Sequence, residues 1–324
     1  MSYKKALVTG GAGFIASHLV DRLVEQGVAV TVVDDLSTGA RKHVNSAARF
    51  EEVTILRPAF RGLVTEIKPD IIFHYAAAID VREATRKPTN DAKVNILGTL
   101  AVIEAAKKAG TKQIVFASSG GAMFCDDVPP PYHEAIEPCP MSPYGISKRS
   151  AEMYLGFAAK EWGIKTAVMR YANVYGPRQG MGGEAGVISV FAKRLMAGEA
   201  LTIRGDGKQT RDFLFVDDAV QAALEAGGGR RSGGAGSGSA GEAGGVYHIG
   251  TGIETTVLDL AMKMNRIHGS SMPPIFAAAG PGEVRRSVLV SEKAKKELGW
   301  EAKVGLEEGL KRTMEWFQKN NLSS

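Results

Sequence analysis

The chain is predicted to fold as an α/β protein built on a doubly wound parallel sheet (Rossmann) with a smaller C-terminal substrate lobe. Three observations carry this. Short β-branched runs alternate with amphipathic helical stretches through the first half. A glycine-rich turn joins the first such run to the first helix, and an acid closes the second run. Past Arg170 the alternation gives way to longer loops rich in glycine and proline.

Residues 6–9 read as the first strand and 14–25 as the first helix, burying Ile15, Leu19 and Leu23. A valine-rich strand is expected at 29–33, with further strands at 53–56, 70–73, 113–117 and 166–170. Helices are expected at 95–109 and 148–162. Strands separated by helices call for a parallel sheet covered on both faces. Residues 1–173 form the expected nucleotide-binding domain, with returns from about 212–250, and 174–324 the smaller lobe. The lobe is expected to hold helices at 187–197, 217–226 and 306–319, with a strand at 246–249. The stretch 227–245 is almost all Gly, Ala and Ser; it cannot bury a core and reads as a surface loop or linker.

The 324 residues, 44 % of them hydrophobic, exceed one average domain and supply a sizeable core. Lys4 and Lys5 are followed by only Ala6-Leu7-Val8 before the glycines, too short for a secretory core. No apolar run approaches the roughly 20 residues of a membrane span. A cytoplasmic protein without membrane contact is expected. Cys125 and Cys139 lie fourteen apart with no metal-ligand spacing around them, and are expected as free thiols in a reducing compartment. The six histidines form no HxxxH or HExxH pattern, so no metal is expected. The net charge of +5 is scattered, which gives no nucleic-acid surface. A modest positive field suits an anionic substrate and equally suits solubility.

The glycine turn is Gly10-Gly11-Ala12-Gly13, followed by Phe14 and Ile15 at the helix start. Gly10 permits a tight turn, Gly13 admits a pyrophosphate to the helix N-terminus, and Ala16 stands at the close helix–strand contact. Asp34 lies twenty-one residues beyond Gly13. A carboxylate there accepts both ribose hydroxyls of NAD and repels the extra phosphate of NADP. Asp35 is adjacent, and Asp34 is taken as the ribose acid. NAD is the expected cofactor.

Of eight tyrosines only Tyr144 has a lysine four residues later, Lys148. On a helix that spacing places both side chains on one face. A phenol near its reference pKa of about 10 is a poor base at neutral pH, and an adjacent ammonium brings it toward the useful range. Upstream, a strand ends in Ser118-Ser119, where a hydroxyl would bond the same substrate oxygen.

With these motifs in place, the chain resembles the extended short-chain dehydrogenases/reductases of the NAD-dependent epimerase/dehydratase family, and within it the UDP-hexose 4-epimerases. The resemblance runs through TGGAGFIASH from Thr9, DDLSTG from Asp34, HYAA from His74, FASSGG from Phe116, SPYGISK from Ser142, RYANVYGPRQ from Arg170 and GDGKQTRDFLFV from Gly205. It implies that Tyr144 takes a proton from a sugar hydroxyl while hydride passes to NAD, and that hydride returns to the opposite face. It implies Lys148 as the electrostatic partner, Ser119 as the hydroxyl with Ser118 in reserve, and Asn95 as an ordering residue. Asn173 and Arg211 would hold the diphosphate of a UDP-sugar. Family members that eliminate or decarboxylate place an acid after the Ser/Thr; here Gly120-Gly121 follow, which favours simple oxidation and return. Ser287 falls where the family's epimerases limit the room beside the sugar's C2 group, and its small side chain would admit an acetamido group. A homodimer through helices 95–109 and 148–162 is also implied.

The chain departs from the pattern at four places. Met123-Phe124-Cys125 replaces VYG, Thr54 stands for an adenine-binding aspartate, His248 replaces an asparagine, and no basic residue occupies 279–283. Arg285 or Arg286 would compensate for the last. A second reading is UDP-glucuronate 4-epimerase, or another NAD-dependent nucleotide-sugar oxidoreductase, with Arg82 or Arg178 meeting a sugar carboxylate. A third is an NAD-sensing scaffold, which the intact Ser119, Tyr144 and Lys148 oppose.

Overall fold

The computed structural model describes residues 3–180, 186–228, 245–279 and 284–321. The expected linker at 227–245 lies almost wholly outside them. In chain order the strands are β1 (Lys5–Thr9), β2 (Ala29–Asp34), β3 (Arg49–Glu52), β4 (Ile71–His74), β5 (Gln113–Ser119), β6 (Lys165–Tyr171), β7 (Asn173–Tyr175), β8 (Thr202–Arg204), β9 (Thr210–Phe215), β10 (Gly245–Ile249), β11 (Glu254–Thr256) and β12 (Ile275–Ala277). The helices are α1 (Phe14–Glu25), α2 (Pro58–Ile67), α3 (Val81–Arg86), α4 (Pro88–Ala92), α5 (Gly98–Ala109), α6 (Pro143–Trp162), α7 (Val187–Met196), α8 (Val216–Ala226), α9 (Val257–His268) and α10 (Leu306–Asn321).

Among the described residues seven strands form one parallel sheet in the order β10-β6-β5-β4-β1-β2-β3. Alternate side chains of β1 explain why both faces are covered. Ala6 and Val8 join Val32, Phe73 and Met169 in a core under α1 and α8, while Leu7 joins Val33, Ile72 and Phe116 under α2, α5 and α6. The chain runs outward from β1 through β2 to β3, then returns to β4 on the other side. The ends of β1 and β4 therefore form a switch point, the crevice where such sheets bind ligands. A three-stranded sheet, β11-β9-β7, lies beyond the carboxyl end of β6.

The expected strand at 53–56 is displaced. The edge strand is Arg49–Glu52, paired with β2, and Val53 ends it by donating to Asp34 O and Glu51 O, both at 3.1 Å. Residues 54–57 then turn into α2, where Pro58 takes a first-turn position that needs no N–H. Ile55 is buried against Gly98, where a Cβ would lie 2.6 Å from Ile55 Cδ1. The helix expected from residue 148 begins at Pro143, because Ser142 caps it by accepting from Gly145 N at 3.1 Å. The helix expected at 95–109 is α5 preceded by one π turn, Lys93–Leu97.

The cysteine expectation is corrected. Cys125 and Cys139 form a disulfide, not two free thiols. The loop between β5 and α6 folds back on itself, with Cys139 N donating to Met123 O at 2.9 Å, and brings the two Cα atoms to 5.4 Å. Met123, Phe124, Tyr132 and Leu289 form a small core beside it.

Candidate active site

The glycine turn sits at the switch point and is built for close approach. Gly10 has φ +69°, and a Cβ on it would fall 2.6 Å from Ala76 N on the neighbouring β4 connection. Gly13 caps α1 without a side chain, so the first-turn N–H groups, including those of Phe14 and Ile15, have no side-chain cap. Such a helix N-terminus fits a pyrophosphate. Of the two acids at the end of β2, Asp34 is the one turned inward. Its Oδ2 accepts from Ala12 N at 2.9 Å and its Oδ1 from Leu36 N at 2.8 Å. Burial raises its pKa, and those two backbone bonds oppose the shift. Asp35 is exposed and accepts from Ser37. Gly10, Gly13 and Asp34, the residues expected to hold NAD, lie together at this turn.

Tyr144 and Lys148 share one face of α6. Lys148 is buried; its Nζ donates to Ala117 O at 3.0 Å and lies 4.7 Å from the Phe116 ring centre and 5.9 Å from that of Tyr144. Burial pushes the ammonium down to about 8, while Asp91 and then Glu152 pull it back up. The neighbouring serines are sorted by strand alternation. Ser118 is buried and donates to Glu152 Oε1 at 2.6 Å. Glu152 also pairs with the buried Arg170, at 3.0 Å and 2.7 Å, so Ser118 is spent on structure. Ser119 faces the other way, and its Oγ accepts from Ala122 N at 3.3 Å. A Cβ on Gly145 would overlap Ala122 O, so only glycine lets the first turn of α6 close on the serine loop. That closure brings the Ser119 and Tyr144 segments together.

Beneath them runs a buried polar chain. His74 lies between Thr9 Oγ1 at 2.8 Å and Thr99 Oγ1 at 3.1 Å, and burial pushes its pKa down to about 3, which leaves the ring neutral. Asn95 lies in the π turn, with both ends of its amide on Ala78: Oδ1 accepts from Ala78 N at 2.9 Å and Nδ2 donates to Ala78 O at 2.8 Å. Nδ2 also donates to Asp91 Oδ1 at 2.8 Å. Sequence reasoning missed Asp91 and Glu152. Each stands four residues from a singled-out side chain, Asn95 and Lys148, and that helical spacing was the available signal.

On the opposite wall, residues 285–289 run beside β9: Thr210 N donates to Arg285 O and Asp212 N to Ser287 O, both at 3.0 Å. Buried Asp212 fixes this wall by accepting from Thr251, Gly252 and Leu289. Ser287 is buried, and its Oγ lies 3.7 Å from where a Cβ would stand on Gly121, so it faces the serine loop. Arg211, on β9, donates to Thr210 O at 2.7 Å, and Asn173 is exposed on β7. The two compensating arginines are engaged by carboxylates, Arg285 by Asp206 and Arg286 by Glu254. Arg178 pairs with Asp21 of α1 at 2.8 Å, and Arg82 is exposed on α3. Residues 280–283 lie outside the described residues.

A dinucleotide cradle at a sheet switch point, with a lysine-backed tyrosine at its mouth, defines a nucleotide-dependent α/β enzyme of the short-chain dehydrogenase/reductase type. The model of the NAD dependent epimerase/dehydratase family matches residues 6–250, and the chain belongs to that family. A UDP-glucose 4-epimerase of Mycolicibacterium smegmatis is 39 % identical over 98 % of this chain and 99 % of its own. The crystal structure of the UDP-glucose 4-epimerase of Thermotoga maritima with UDP-glucose has a TM-score of 0.91 at 45 % identity, covering 98 % of this chain and 99 % of that one. The Thermus thermophilus UDP-glucose 4-epimerase, crystallised with NAD, has a TM-score of 0.88 at 35 % identity, covering 97 % and 99 %.

Proposed function

We propose that this protein epimerises a UDP-hexose at C4, interconverting UDP-glucose and UDP-galactose through a transient 4-keto sugar. The observation that carries the reading is the Lys148 ammonium held beside Tyr144 at the mouth of the dinucleotide cradle. Gly10, Gly13 and Asp34 would hold NAD, which when bound would accept hydride from C4 and then return it. Tyr144 accepts the hydroxyl proton and later returns it, the Lys148 charge favours the phenolate, and Ser119 bonds the reacting oxygen. Asn95 holds the β4 connection in place, Asp34 takes the adenosine ribose, and Arg211 and Asn173 meet the diphosphate. Gly120-Gly121 stand directly after Ser119, where relatives that eliminate place an acid, which favours re-reduction of the keto sugar. Ser287 leaves room for N-acetylated sugars. The alternative, epimerisation of UDP-glucuronate, has weaker support, because Arg178 is already held by Asp21.

Residues 1–173, with α8 and β10 returned from the later chain, act as the NAD-binding unit in this reading, and 174–324 as the substrate lobe. The protein works as a homodimer: Ile146, Met153, Tyr154 and Phe157 form an exposed apolar stripe on α6. A cytoplasmic location belongs to the same reading. The test is product analysis with a panel of UDP-sugars. The expected result is the C4 epimer with no net NADH, abolished in Tyr144→Phe. Net NADH, or no epimer from any of them, would overturn the reading.

A further inference from the structure

Asp91 is almost fully buried, at 3 % exposure, at the end of the short helix α4. One of its oxygens accepts from Asn95 Nδ2 at 2.8 Å; the other, Oδ2, is buried with no hydrogen-bond partner among the described residues. A buried carboxylate oxygen left in that state costs free energy unless a charge compensates it. Helix α4 packs on α6, and across that contact the Asp91 carboxylate acts electrostatically on Lys148. Lys148 is likewise buried, at 3 % exposure, and spends one N–H on Ala117 O. Of the other ionisable groups around it, Glu152 adds a smaller favourable charge than Asp91. Glu152, on its own helix, is already paired with Arg170 and Ser118, and His74 is neutral. Tyr144 is the group it serves.

We propose that Asp91 is a positioning residue for proton transfer: its carboxylate is the buried counter-charge that keeps Lys148 cationic beside Tyr144. This rests on the catalytic reading of Tyr144 and Lys148, and it adds a residue from a separate helix to that pair. Without the counter-charge, a lysine buried between β5 and α6 loses its proton at a lower pH, and the phenolate loses its partner. The same carboxylate orders Asn95, so one group holds both the π turn and the ammonium in register.

The direct test is the titration of Lys148 itself, followed by the ε-carbon NMR shift in lysine-labelled protein and assigned by its loss in Lys148→Met. In Asp91→Asn, which keeps an oxygen for the Asn95 amide, the midpoint should move down by about 1 pH unit. The alkaline limb of kcat should move with it, while KM for the UDP-sugar stays unchanged. Asp91→Ser is the second uncharged variant, should the first fold poorly, and Asp91→Glu should restore the midpoint. A merely structural role would lower the melting temperature without moving the Lys148 midpoint, and an unmoved midpoint overturns the proposal. If the midpoint moves but Tyr144→Phe keeps normal turnover, the counter-charge stands and the catalytic reading fails.

Discussion

Ser118 donates from its hydroxyl to Glu152 Oε1 over 2.6 Å, and this bond separates two neighbouring serines that a sequence presents as equals. Ser118 belongs to the buried Arg170–Glu152 pair that ties β5 and β6 to α6. Ser119→Ala should therefore lower kcat by about 10-fold or more with an unchanged melting temperature. Ser118→Ala should instead cost about 1–3 kcal/mol of stability, read by denaturant unfolding. The opposite assignment of the two effects would exchange their roles.

The depressed Lys148 pKa predicts two opposite trends above neutrality. Its ammonium is charged below about 8 and neutral above it, so kcat should fall as pH rises through that value. Stability runs the other way. The folded pKa lies below that of an unfolded lysine, about 10.4, so the unfolded chain binds more protons between the two values. The penalty for burying the charge is thus relieved as pH rises from about 8 toward 10.4. Subtracting the stability curve of Lys148→Met isolates this contribution, and a flat difference would deny it.

Asp34 holds the glycine turn and the segment after β2 with its two oxygens, and presents its charge where the ribose is expected. Asp34→Asn should weaken NAD about 10-fold and narrow its preference over NADP. Titration of both nucleotides checks this; equal preference in the parent protein would remove Asp34 from cofactor choice.

Ser287 faces Gly121 of the serine loop. Replacing it with tyrosine fills that space, so Ser287→Tyr should depress kcat/KM for the N-acetylated UDP-sugars about 10-fold more than for the unsubstituted pair. Equal losses on both pairs would mean that Ser287 is wall and not a specificity determinant.

The Cys125–Cys139 bond closes a loop with a sequence separation of 14 between the serine strand and the tyrosine helix. A loop of that size is worth about 3 kcal/mol in the chain-entropy estimate. Melting in the presence of a reducing thiol should show a fall of several degrees, and the same fall should appear in Cys125→Ser without reductant.

Much of this protein is legible in its amino-acid sequence. The strands of the nucleotide-binding half, the glycine turn, Asp34 and the Tyr144–Lys148 spacing follow from local rules, because period, turn chemistry and helical geometry act within a few residues. Helix α1 appears at the expected residues, Phe14–Glu25. Where a local preference competes with a long-range contact, the contact wins. The apolar run at 53–56 looks like a strand, but Ile55 packs over Gly98, and the edge strand lies upstream.

The choice between Ser118 and Ser119, the joining of Cys125 to Cys139, and the placement of Asp91 near Lys148 were decided by tertiary structure alone. Each depends on which face of an element a side chain occupies, or on two segments well apart in the chain meeting in space. Sequence determined the chemistry this chain carries, since residue types and short spacings are local facts. Which of those groups converge, and which are consumed by the framework, is set by packing, because a buried hydroxyl or carboxylate must find its partner wherever the fold has brought one.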